Sequence, residues 1–155
     1  VTVLTVRIES PRQDDVLHLL QQGDDYGLSL YPAENYHALD VDVDDLDQPD
    51  VTFLVAREDG TALGTVALVD AGDGTGEVKR MFVSDAARGL GVGTRLLDAL
   101  HDRARAVGIG TVRLETGLPQ AAAIALYRKA GYADIPRFGP YVDDPTSVCM
   151  EQQLV

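Results

Sequence analysis

The 155-residue chain holds a single cysteine, Cys149, so no internal disulfide can form and a reducing compartment is expected. No apolar run approaches the roughly 20 residues that span a bilayer. The first ten residues carry no basic leader ahead of an apolar stretch, so a cytoplasmic protein with no membrane partner is expected. The three histidines, His18, His37 and His101, lack the spacing of metal ligands, and His101, beside Asp102 in a helical run, reads as a surface residue. Asp40-Val41-Asp42-Val43-Asp44 hints at a calcium loop, but Asp45 and Val51 stand where the glycine and the final glutamate are required, so no metal is expected. Two nucleotide signatures are also missing. The glycines at 89, 91 and 93 would need a fourth at Thr94 to match the dinucleotide fingerprint, and no Gly-Lys-Ser/Thr exists to form a P-loop.

What is present fits one α/β domain spanning residues 1–155. An apolar share of 45% with 25% charged residues is ordinary for a globule, and a chain of this length buries about 70% of the surface it exposes when unfolded. Residues 3–9 read as a strand. Ser10-Pro11-Arg12-Gln13 resembles a capping box, and Val16, Leu17, Leu19 and Leu20 give the following helix an apolar face that Gly23 is expected to end. Residues 26–47 read as loop with a short helix near 33–39. Residues 51–57 and 62–70 form a hairpin about Asp59-Gly60, and a glycine-rich turn at 72–76 leads into the next strand. Leu96, Leu100, Ala104 and Val107 recur at helical spacing before Gly108. A strand at 111–115, a helix at 120–130 and strands near 132–138 and 147–152 complete a mixed sheet flanked by helices.

The segment Arg88-Gly89-Leu90-Gly91-Val92-Gly93 lies between an apolar strand pattern and a helix beginning near Thr94. Glycines there let the backbone approach a ligand, and the first amides of a helix point outward unpaired, which together suit phosphate. A plain glycine-rich turn capping the helix satisfies the same residues. Arg88, Gly91 and Gly93 match an Arg/Gln-x-x-Gly-x-Gly/Ala signature. Leu126-Tyr127-Arg128-Lys129-Ala130-Gly131-Tyr132 and Glu77-Val78-Lys79-Arg80-Met81-Phe82-Val83 flank it in order. With these three landmarks the chain resembles the GNAT family of N-acetyltransferases.

The resemblance covers most of the chain from residue 51 to 154 and implies a sheet whose fourth and fifth strands, here 77–83 and 111–115, splay to admit the pantetheine arm of acetyl-CoA. It implies pyrophosphate contacts from Arg88, Gly89, Leu90, Gly91, Val92, Gly93 and Thr94, with the backbone of Met81, Phe82 and Val83 bonding the arm like an added strand. Many members carry an asparagine where this chain offers Gln120, which makes equivalent bonds with a different reach. Tyr127 matches the proton donor to the departing thiolate, with simple packing as its alternative. Glu77 matches a strand glutamate that serves as base, and otherwise is a solvated strand-end carboxylate. Glu115 on the facing strand is the second candidate.

The chemistry implied is acyl transfer to an amine. An ordinary alkylamine with a pKa of about 10.4 is mostly protonated at neutral pH, a handicap of about 4.6 kcal/mol, so proton removal by a carboxylate or through water is needed. Arg80 and Arg137 could hold a carboxylate on the acceptor, and Tyr141 is assigned to the acceptor mouth. Phe138-Gly139-Pro140-Tyr141 and Asp143-Asp144-Pro145 resemble a bacterial, indoleacetate-type subgroup, which implies a small-molecule acceptor. Between Arg12 and Arg57 there are eleven acids and no lysine or arginine, accounting for eleven of the twelve net negative charges. That span is either an acidic wall that attracts cationic amines and disfavours nucleic acid, or a solvated face. A protein amino group is the rival acceptor, and a non-catalytic acyl-CoA sensor is the rival class. Either a monomer or a homodimer is compatible with the sequence.

Overall fold

A computed structural model describes residues 3–87 and 89–154. Seven strands form one sheet in the order β1-β2-β3-β4-β5-β7-β6: β1 Leu4–Ile8, β2 Val51–Glu58, β3 Thr61–Asp70, β4 Thr75–Val83, β5 Thr111–Gly117, β6 Ala133–Ile135 and β7 Ser147–Gln153. All neighbours are antiparallel except β4 and β5, which run parallel. Helices α3 (Val92–Ala106) and α4 (Ala121–Lys129) cover one face, and α1 (Asp14–Leu30) with the short α2 (Val43–Leu46) covers the other. No helix among the described residues is long and apolar enough to cross a membrane.

Local chemistry explains most boundaries. The β2–β3 turn takes positive φ at Asp59 (49°) and Gly60 (86°), the pair of left-handed residues that a twisted two-residue hairpin needs. α3 buries Leu96, Leu97, Leu100 and Ala104 at helical spacing. It stops where Gly108 adopts φ 83°, with Gly108 N–H bonding Arg105 O and Ile109 N–H bonding Ala104 O, a double bond pattern that satisfies the last carbonyls.

The N-terminal helix departs from expectation twice. Its N-cap is Gln13, with no side-chain cap; Ser10 Oγ instead accepts from Arg12 N, and Asp14 and Asp15 favour the first turn through the helix dipole. It also runs through Gly23 and Gly27. A β-carbon at Gly27 would lie 2.2 Å from the Tyr36 ring, and one at Gly23 would lie 3.3 Å from Phe82. Close packing therefore outweighs the roughly 1 kcal/mol that a mid-helix glycine costs. The helix ends at Leu30, where Tyr31 turns extended ahead of Pro32. The expected short helix at 33–39 is two 3-10 turns, Ala33–Asn35 and His37–Asp40. A capping box does occur in the acidic run, where Asp42 and Asp45 cap α2 reciprocally.

Two features of the sheet position the site. β4 and β5 pair only from Thr75/Thr111 to Glu77/Arg113 and then diverge, so the expected splay is present. In β4, Arg80 and Met81 together oppose Val66 in a bulge. Arg80 holds φ 53°, rare for a non-glycine residue, and Thr65 Oγ1 donates to its carbonyl at 3.0 Å.

Candidate active site

A cavity of about 460 Å³ opens where the strands part. One end is the glycine loop: Gly89, Gly91, Val92, Gly93 and Thr94 line it, while Leu90 is exposed outside the wall. Arg88 lies outside the described residues. Gly89 and Gly91 have φ of 85° and 75°, and a β-carbon on either would meet no protein atom within 4 Å, so these backbones border open space. Gly91 is the N-cap of α3 and its carbonyl accepts from Arg95 N, leaving the amides of the first turn free of intrahelical partners. A β-carbon at Gly93 would press to 3.0 Å from Leu126, so this glycine lets α3 close on α4. A helix N-terminus facing open space beside a parted sheet edge fits the pyrophosphate and arm of acetyl-CoA.

The middle of the cavity is walled by Met81, Phe82 and Val83 of β4, by Leu114 and Glu115 of β5, and by Gln120 and Tyr127. Tyr127 is positioned by the end of its own helix: Gly131, at φ 104°, lets Gly131 N–H bond Arg128 O and Tyr132 N–H bond Tyr127 O. The same reversal packs Tyr132 edge-on against Tyr127, with ring centres 5.9 Å apart. Tyr127 is 5% exposed. Burial first, then the charge of Glu115, pushes its phenol well above the ordinary value, so it stays protonated. Tyr132 in turn bonds His101 at 2.7 Å, and His101 is buried in the core rather than on the surface as expected. Its partner lies 31 residues away and left no local signal.

Glu115 is largely buried. Burial raises its pKa, opposed by a 2.8 Å bond from Ser147 Oγ and by the charges of His37 and Lys79. Glu77 does not line the cavity. Its Oε2 accepts from Tyr141 OH at 2.7 Å and pairs with Lys79 Nζ at 2.7 Å. Tyr141 is 2% exposed and absent from the cavity wall, so the expected residue of the acceptor mouth is a buried prop. Arg80 lines the cavity, yet both terminal nitrogens bond Asp24, and its Nε is buried without a partner. Arg137 donates to the carbonyl of Asp144 at 2.6 Å and is not on the wall. Gln120 lines the cavity and donates to Tyr31 OH at 3.0 Å.

The third wall is aromatic. Tyr26, Tyr31, Tyr36 and His37 line it, and none of the eleven acids of the N-terminal span does. Four of those acids are paired elsewhere: Asp44 and Asp47 with Arg12, Asp15 with Arg57, and Asp24 with Arg80. The acidic wall is thus not the cavity surface. His37 was missed by sequence reasoning, because its partner Asp144 lies 107 residues on. The only local hint was the Tyr36-His37 pair amid acids. Among the described residues, no group of three or more histidine, cysteine or acidic side chains could hold a metal.

Comparison with known proteins agrees with this geometry. Residues 16–132 match the acetyltransferase (GNAT) family. The chain is 51% identical over 152 residues to an IAA acetyltransferase of Azospirillum brasilense, covering 97% of this chain and 98% of the relative. It is 34% identical to an acyl-CoA N-acyltransferase structure from Klebsiella pneumoniae, with a TM-score of 0.85 and 99% of each chain covered. A Thermoplasma acidophilum PaiA N-acetyltransferase solved with coenzyme A shares the fold at a TM-score of 0.80 and 17% identity, over 97% of this chain and 99% of that one. The chain belongs to the GNAT acetyltransferase family and is an acetyl-CoA-dependent N-acetyltransferase.

Proposed function

We propose that the enzyme acetylates the primary amine of a small molecule by direct attack, with both substrates bound at once. The observation that carries this reading is that the glycine loop, Tyr127, Glu115 and the aromatic wall all border one cavity. Its volume is within the range of small-molecule sites. Tyrosines 26, 31 and 36 suit an acceptor with a flat or apolar body. The IAA acetyltransferase of Azospirillum brasilense is a further support for a small acceptor. Cys149, the sole thiol, is buried in β7 and not on the cavity wall, which supports transfer without an acetylated cysteine.

Acetyl-CoA supplies an activated acetyl group as a thioester. The glycine loop and the first turn of α3 would hold its pyrophosphate. The edge of β4 beyond Glu77, which has no strand partner on the β5 side, would hold its arm. A backbone amide near Val83 would polarise the reacting carbonyl. Glu115, on the cavity wall, would orient the amine by accepting its hydrogen bond, and Tyr127, protonated at neutral pH, provides a proton where sulfur departs. A panel of amines and peptides assayed for thiol release tests the reading. Small amines with apolar bodies are expected to react fastest; release with peptides alone would overturn it.

A further inference from the structure

We propose that His37, oriented by Asp144, is the catalytic base that takes the proton from the acceptor amine, a role that rests on the amine reading above. His37 stands on a 3-10 turn at the aromatic wall, with its side chain 18% exposed. Its Nε2 lies 2.8 Å from Asp144 Oδ2. Asp144 has a side chain only 6% exposed, and its other oxygen accepts from the Thr146 amide at 2.9 Å and the Thr146 hydroxyl at 2.7 Å. An ionised carboxylate only accepts, so in the neutral ring Nε2 carries the hydrogen and Nδ1 keeps the lone pair. No hydrogen bond engages Nδ1 among the described residues.

The ring plane is also fixed. Tyr141 meets it edge-on at 5.0 Å and 83°, and Tyr141 is itself held by Glu77 and Lys79. Glu77 is on this view a positioning residue, two contacts removed from the base. Asp144 is braced in turn by Arg137, which bonds its carbonyl. Asp144 bonds His37 and Tyr141 meets it edge-on, both from the segment before β7; Glu115 of β5, Arg80 of β4 and Tyr36 of its own segment line the same cavity, and Lys79 stands behind Tyr141.

The proton balance closes. A neutral amine enters, and the bond from its nitrogen to the acetyl carbon forms as its proton passes to Nδ1, with Asp144 stabilising the imidazolium. The carbon–sulfur bond breaks with its electron pair on sulfur, which takes the Tyr127 hydroxyl proton. Products are the amide and the free thiol, and solvent exchange returns one proton from His37 and one to Tyr127.

Two measurements test the assignment. In the free protein, nitrogen-15 spectra of the His37 ring, assigned by its contact with Tyr141, should show the neutral form with its hydrogen on Nε2, and Asp144→Asn should abolish that preference. With the best amine, His37→Gln should lower turnover about 10²- to 10⁴-fold. It should leave acetyl-CoA affinity by calorimetry unchanged and lower the slope of the acidic limb of the kcat/KM profile from two to the one that the amine's own proton imposes, and added imidazole should restore part of the rate in His37→Gly. A neutral ring with its hydrogen on Nδ1 would overturn the proposal even if the variants fold poorly. So would an acidic limb whose slope is unchanged in His37→Gln and falls to one in Glu115→Gln. Wild-type protein that acetylates no amine would overturn the amine reading and this proposal together, whereas an active wild type with an unaffected His37→Gln would overturn the base alone.

Discussion

Removing one oxygen atom from Tyr127 separates its chemistry from its packing. The ring is 5% exposed, sits edge-on to Tyr132, and is held by the bonds that end α4, none of which uses the hydroxyl. No protein group among the described residues pairs with that hydroxyl, so Tyr127→Phe leaves no orphaned partner and should change stability by less than about 0.5 kcal/mol. Its effect should fall on the transition state alone. Loss of a positioned acid costs about 10²- to 10⁴-fold, and solvent entering from the open cavity would supply part of the proton, so a fall of about 10- to 1,000-fold is expected, equal to about 1.4–4 kcal/mol. Steady-state thiol release gives the turnover, calorimetry gives acetyl-CoA affinity, and thermal melting gives stability. Turnover at the wild-type level would refute the acid role. A loss of cofactor affinity matching the loss of rate would mean that the hydroxyl binds rather than donates.

Gly91→Asp introduces a side chain and a negative charge at a backbone with φ 75° that borders the phosphate site; calorimetry should find acetyl-CoA binding lost while circular dichroism stays native. Asp24→Ala leaves the guanidinium of Arg80, with a side chain only 7% exposed, buried without its carboxylate and with only the long bonds to the carbonyls of Ala38 and Leu20, so urea midpoints should report a loss toward the low end of roughly 3–5 kcal/mol. Asp144 is held well below the usual carboxylate range, first by the Thr146 hydroxyl and then by the Thr146 amide and His37, against the opposing cost of burial. The stability it contributes is therefore fully present above its unfolded pKa of about 3.9 and lost as pH falls toward its folded value. Asp144→Asn should flatten that part of the acid unfolding curve.

Signals confined to one segment were legible in the sequence. Asp59-Gly60 announced its hairpin, Gly108 its helix end, and the spacing of Tyr127, Gly131 and Tyr132 encodes the helix reversal that aims Tyr127. Long-range facts were not. Gly23 read as the helix end and the segment holding Gly27 as loop, because Phe82 and Tyr36, which need these glycines' small size, come from distant elements. His101 read as surface because Tyr132 is the partner that makes its burial tolerable. The Arg80 bulge, set by pairing to β3 and an ion pair to α1, has no trace in the local pattern. The acidic span was visible as charge, but which side faced the cavity depended on where α1 and the two 3-10 turns packed, and they turned tyrosines inward.

Direct transfer requires that donor and acceptor occupy the one cavity together. Initial rates measured over a grid of acetyl-CoA and amine concentrations, with mass spectrometry of the enzyme after donor alone, test it most directly. Intersecting reciprocal plots and an unmodified protein are predicted; parallel plots together with an acetylated protein would rule out direct transfer.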